Sequence, residues 1–82
     1  MNYTTRLTTD HLGPAATGAD LLPFANHFND VVEREGESAT AWVEYDKHGD
    51  PVAVCIEDNR HYDYYAIDRF IEAVIDGHYG AW

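Results

Sequence analysis

ATAWVEYDKHGDPVAVCIE, residues 39–57, is the stretch whose reading decides the fold. Residues 39–45 and 52–57 are rich in β-branched and aromatic side chains, and Lys47-His48-Gly49-Asp50 links them. Two such runs joined by a short polar segment with a glycine read as a β-hairpin, with Gly49 at the position that needs a positive φ. In the second run Val52, Val54 and Ile56 alternate with Ala53, Cys55 and Glu57. That alternation is the mark of a strand with one face on a core. Trp42, inside the first run, is expected to pack in the core or on the sheet.

Working outward, a helix is expected on each side of the hairpin. Over residues 20–35, Leu21, Leu22, Phe24, Ala25, Phe28, Val31 and Val32 recur at steps of three and four. Thr17 or Asp20 is placed to cap this helix, Pro23 suits its first turn, and Gly36 is placed to end it. Over residues 66–76, Ile67, Phe70, Ile71 and Val74 form a second apolar stripe, ended by Gly77. Asp58-Asn59-Arg60 reads as a second turn, and residues 61–65 as a short third strand. Residues 1–18 read as an arm or an extra strand, with threonine-rich residues 2–9 followed by a loop at Gly13, Pro14 and Gly18. The expected architecture is a single α+β domain: helix, three-stranded antiparallel sheet, helix.

Composition then limits function. The chain has 82 residues, room for one core, and 45% of them are hydrophobic, which separates it from acidic disordered tails. Fifteen acidic residues against five Lys and Arg set a formal charge of −10. That balance disfavours direct binding to nucleic acid or to acidic lipid and favours a basic partner. One cysteine, Cys55, cannot form an internal disulfide, so the cytoplasm is the expected compartment. The first residues show no secretory pattern, and no apolar run approaches the roughly 20 residues of a membrane span.

No motif for catalysis, cofactor or metal emerges. His48 with Asp50 and His61 with Asp63 are two-residue-spaced pairs, but neither fits a zinc signature, and the loop at 47–51 lacks the terminal glutamate of an EF-hand. Ser38 is the only serine, and neither it nor Cys55 can be assigned a histidine and an acid partner. The expectation is a protein that is not an enzyme and uses no cofactor.

The acids themselves are the candidate site. Asp68, Glu72 and Asp76 follow one another at four-residue spacing on the second helix, where each like-charged step costs about 0.2–0.5 kcal/mol. Asp76 also falls at the helix C-terminus, the end where the dipole favours cations. Glu44, Asp46 and Asp50 surround the first hairpin, and Glu57, Asp58 and Asp63 the second turn. Tyr62, Tyr64 and Tyr65, joined later by Tyr79 and Trp82, are of the type favoured at interfaces, and arginine stacks on such rings while pairing with acids. As a strand, residues 61–65 would put Tyr62 and Tyr64 on one face and Tyr65 on the other.

The element order, the net charge, the passage from Glu44-Tyr45-Asp46 through the turn at Gly49, the second turn, and the helix ending at Gly77 resemble the small phage-encoded anti-CRISPR proteins that inhibit Cas9. The resemblance covers about the last half of the chain. It implies a DNA mimic acting in the host cytoplasm, one that occupies the effector's DNA-binding site with Asp46, Asp50, Glu57 and Asp58 standing in for phosphates or PAM contacts. The chain departs from that family at Trp82, where the family continues into a further acidic segment; other CRISPR effectors and restriction enzymes are then alternative targets. Charge density sets a condition on mimicry. Roughly 30 Å of B-DNA carries about 18 charges, against a net ten here, so the acids must gather on one side. Two other readings stand beside this one: a cytoplasmic domain adapted to high salt, since Lys47 is the only lysine, and a small adaptor or homodimer using its aromatic face.

Overall fold

Residues 3–58 and 64–82 are described by a computed structural model of the chain. The hairpin is at its centre: β2 (Ala39–Tyr45) and β3 (Pro51–Asp58) pair antiparallel, with Trp42 opposite Cys55 and Val43 opposite Val54. Gly49 has φ 85°, as its place in the turn requires. Asp46 closes that turn, its Oδ1 accepting the N–H groups of His48 at 2.8 Å and Asp50 at 3.0 Å.

The sheet has three antiparallel strands, but its third strand comes from the other end of the chain. β1 (Tyr3–Leu7) pairs with β3, Leu7 opposite Val54 and Thr5 opposite Ile56, giving the order β1-β3-β2. Within residues 1–18, expected to be an arm or an extra strand, Tyr3–Leu7 is a strand and Thr9–Leu12 a short helix. Of the third strand expected at 61–65, residues 61–63 lie outside the described residues, while Tyr64 and Tyr65 open a helix. That helix, α3 (Tyr64–Ile75), starts two residues before the expected boundary, because the apolar period through Ile67, Phe70 and Ile71 extends back over a turn with nothing to break it.

β1 and β2 both run antiparallel to β3, so they run parallel to each other, and the connection between them crosses over β3. It consists of the short α1 (Thr9–Leu12), a 3₁₀ turn (Gly18–Asp20) and α2 (Leu21–Glu35). Thr17 and Asp20 serve the 3₁₀ turn, the Thr17 N–H donating to Asp20 Oδ2 at 2.8 Å, and that turn leads straight into α2. At the other end of α2, Gly36 takes φ 70° and the Glu37 N–H returns to the Val32 carbonyl at 3.0 Å.

Leu21, Phe24, Ala25, Phe28, Val31 and Val32 of α2 are buried, as the period predicts, and pack with Ile67, Ile71 and Val74 of α3 over one face of the sheet. On that face β3 contributes Val54 and Ile56, β1 Leu7 and β2 Ala41. Among the described residues, no helix packs on the other face. There Arg6 and Trp42 flank Cys55 from the two edge strands, and this cover buries Cys55 beneath longer side chains. Trp42 is therefore not a core residue; it is 44% exposed on the open face. Both faces of β2 carry apolar residues, so alternation alone does not say which face turns inward.

The aromatic residues near the C-terminus pack inward. After α3, Gly77 takes φ 82° and the His78 N–H returns to the Ala73 carbonyl at 3.0 Å, turning the chain back over the helices. Trp82 then meets Phe24 edge-on at 5.2 Å and donates Nε1–H to the Ile75 carbonyl at 3.2 Å. Tyr79 packs on Phe70 at 5.4 Å. Both join the edge of the core.

Candidate functional site

The regular spacing of acids on α3 survives as geometry. Asp68, Glu72 and Asp76 are exposed on successive turns, and Tyr65, one helical turn before Asp68, heads the same stripe at 76% exposure. None of the three carboxylates has an ion-pair partner among the described residues. Asp76 stands just beyond the helix end, where its charge opposes the dipole without compensation from a basic residue in the last turn.

The stripe borders a concave surface. Asp68, Ile71, Glu72 and Ile75 line one side of a hollow of about 420 Å³ whose far side is Thr5, Leu7 and His11, with Arg6, paired to Glu44, at its edge. Ile75 and Asp76 continue into a second hollow of about 570 Å³, bounded by Leu12, the turn at Pro14 and Ala15, and Trp82. Residues 68, 71, 72, 75 and 76 follow the helical repeat, so the two hollows run consecutively along one side of α3. The opposite wall is built by β1, α1 and the loop after it. His11 is fixed there by accepting the Thr8 N–H on Nδ1 at 3.0 Å, and Ala16 N–H bonds the Gly13 carbonyl at 3.2 Å to close the turn around Pro14. Thr5 Oγ1, on the same wall, is buried with no hydrogen-bond partner.

The other expected acids lie elsewhere. Asp46 and Asp50 are exposed at the hairpin tip, Asp46 with its carboxylate engaged in holding the turn. Glu44 is on the open sheet face, bonded in a fork to Arg6 at 2.9 and 3.2 Å, and Glu57 is half-buried on that same face. Asp58 is 3% exposed, at the end of β3 opposite both Tyr3 and Ala39, so it does not offer a surface carboxylate. The expectation of a turn acid fails here because both ladders, with β1 and with β2, run as far as Asp58 and enclose it. Tyr62 and Asp63 lie outside the described residues, as does the side chain of Tyr64. The structure therefore brings Tyr65, Asp68, Glu72 and Asp76 together, with Asp20 lining the second hollow beside Asp76, and leaves Glu44, Asp46, Asp50, Glu57 and Asp58 elsewhere.

What the sequence reading missed is the groove, because its far wall comes from residues some 60 positions away along the chain. Ile75 was the available signal, an apolar residue standing beside the acidic repeat. Among the described residues no three or more His, Cys, Asp and Glu converge in a way that would hold a metal ion, and no helix is long and apolar enough to cross a membrane.

The Arg6–Glu44 pair has an electrostatic consequence on the open face. The hydrogen bond from Arg6 lowers the Glu44 pKa from the usual carboxylate range, and Glu44 in turn raises that of Arg6. A depressed folded-state pKa means the pair's contribution is present above the unfolded glutamate value, near 4.3, and is lost as pH falls through the folded value. Beneath the pair, burial first and the Glu44 carboxylate second push the Cys55 thiol up, and its Sγ lies 3.8 Å from Glu44 Oε1. Thiolate is the reactive form, so iodoacetamide at pH 8 is expected to label folded Cys55 at least several-fold more slowly than the urea-unfolded chain. Glu44→Gln should narrow that difference; equal rates in folded and unfolded protein would contradict the buried placement.

No family model, curated protein or solved structure matches the chain.

Proposed function

We propose that this chain is a non-enzymatic binding domain, acting in the cytoplasm, that docks its α3 carboxylate stripe on the basic surface of a nucleic-acid-handling protein such as a CRISPR effector or another nuclease. The observation that carries this reading is the set Asp68, Glu72 and Asp76, exposed one turn apart without an ion-pair partner among the described residues and headed by exposed Tyr65. Such a stripe costs helix stability and has no local benefit, whereas opposite charge on a partner would relieve it and steer association. Asp50 at the hairpin tip lies off the stripe, so the contact is narrower than full imitation of a duplex.

The test uses purified nucleases and CRISPR effectors, with binding measured across a salt series and in competition with duplex DNA. The combined substitution Asp68→Asn, Glu72→Gln and Asp76→Asn is expected to weaken binding by about tenfold or more and to flatten its salt dependence. Binding that ignores all three changes, or that duplex DNA does not displace, would remove the proposal.

A second reading, adaptation to high salt, is favoured by the spread of other exposed acids, Asp30, Glu33 and Glu35 on α2 and Asp46 and Asp50 on the hairpin. Melting temperature separates the two. A large gain in stability persisting from 1 to 3 M KCl supports adaptation, while a gain that levels off once charges are screened, at a few tenths molar, does not.

A further inference from the structure

The groove beside the stripe says what shape of partner it fits. We propose that its occupant is an amphipathic helix of the partner protein, with Lys or Arg side chains one turn apart along one edge and apolar side chains on the adjoining face; this rests on the acidic docking reading above and specifies it. Two features carry it. The carboxylates of Asp68, Glu72 and Asp76 recur every four residues, about 6 Å along the axis, which matches cations at i and i+4 on a helix laid alongside. Next to them the lining is apolar, with half-buried Ile75 and Trp82 at the surface and buried Leu7, Ile71 and Leu12 beneath them.

A helix meets both requirements at once, because residues at i+3 and i+7 lie on the same side as those at i and i+4. An extended strand could match the spacing of the acids, but it sends the intervening side chains to the opposite face, leaving the floor uncovered. A structureless basic tail would use the carboxylates alone. The two hollows, about 420 and 570 Å³, are shallow and open to solvent, with room for side chains laid against them from outside. Docking of an apolar helix face into such a groove is a recurrent mode of peptide recognition.

The experiment uses the full chain and three fluorescent probes: a synthetic leucine–arginine peptide patterned as an amphipathic helix, a scramble of the same composition, and oligo-arginine of equal charge. Anisotropy at about 0.15 M salt is expected to show the patterned peptide binding at least tenfold more tightly than its scramble, with a gain of helical circular dichroism. Ala15 and Ala81 are exposed on the groove's edges. Ala15→Trp and Ala81→Trp, made separately so that either suffices should the other fold poorly, are each expected to weaken the patterned peptide about tenfold while leaving oligo-arginine unchanged. The Asp68→Asn, Glu72→Gln, Asp76→Asn variant should weaken both. Equal affinity for peptide and scramble, or indifference to the tryptophans, overturns the helix proposal. If oligo-arginine binding still needs the carboxylates in that case, acidic docking stands without the helix; if it does not, both readings fall.

Discussion

Phe28→Ala is expected to remove about 3–5 kcal/mol of stability, the range for deleting a fully buried phenylalanine. Phe28 has no exposed surface, and its ring meets Phe70 edge-on at 5.5 Å and Phe24 at 6.3 Å. It is the point at which α2 and α3 touch over the sheet, so the cavity would open between layers that strand pairing and helix bonds do not allow to collapse. A domain of this size has a total stability of roughly 4–12 kcal/mol, so the variant should be partly unfolded at 37 °C. Urea melts measure the loss, with two controls. Phe28→Leu keeps most of the volume and should cost much less, about 1–2 kcal/mol. Leu22→Ala, on a half-exposed residue of the same helix, should cost less still. A Phe28→Ala loss no greater than that of Leu22→Ala would show that the core is not organised around this ring.

The neighbouring residue gives the second large effect, by a different mechanism. β2 is an edge strand, and Ala41 turns its N–H and carbonyl away from β3. Asn29 of α2 takes both: its Nδ2 donates to the Ala41 carbonyl at 2.9 Å, and its Oδ1 accepts the Ala41 N–H at 2.8 Å. The side-chain amide thus acts as one peptide unit of an absent fourth strand. Asn29→Ala leaves two backbone groups of a buried residue without partners, and a loss of about 2–4 kcal/mol is expected. That corresponds to roughly 10–25 °C in melting temperature for a domain of this length. Asn29→Asp tests the mechanism more sharply. The shape is kept, but the donor becomes a carboxylate oxygen facing the Ala41 carbonyl, so at pH 7 it should be at least as damaging as alanine. Below pH 4 the protonated carboxyl can donate, and stability relative to the alanine variant should return. If Asn29→Asp matches the parent at pH 7, the amide is not satisfying the strand. The unblocked edge would also be open to pairing with another chain, so concentration-dependent light scattering of the alanine variant is a further readout.

Neither residue stood out in the same way before the structure. Phe28 lies in the middle of the apolar period of α2, and its burial follows from that period. Asn29 is four residues after Ala25 and three before Val32, a polar side chain on the border of the buried stripe. That is a signal, but it does not name Ala41 as the partner. The same contrast runs through the fold. The hairpin and the two long helices were legible because their patterns are local: alternation through Val54 and Ile56, and three-and-four steps through Phe24, Phe28 and Ile71. β1 was not, because its partner is separated from it by the whole crossover and it offers one strongly apolar core residue, Leu7. The tyrosines after Asp58 fit a strand by composition, yet Tyr64 and Tyr65 open the helix whose apolar stripe starts at Ile67. In the candidate site, the repeat of Asp68, Glu72 and Asp76 was visible as spacing, while Leu7, His11 and Leu12 across from it depend on where β1 runs. Asp58 shows the reverse error: locally it is a turn acid, and only the ladder reveals it as buried.

The register of β1 also fixes an order of events during synthesis. Leu7 pairs with Val54, so the first strand leaves the ribosome well before the strand that holds it. At about 5–20 residues per second the delay is several seconds. Through that interval β1 must remain unpaired without associating with other chains, and its composition suits the wait: Thr4, Thr5 and Arg6 precede its single aliphatic residue. The apolar run Val52–Ile56 emerges directly behind β2, its hairpin partner, and is the last part of the sheet to need protection. Polar residues in the strand made early, and apolar ones in the strand made late, let the nascent chain postpone its most hazardous surface until a partner is already there.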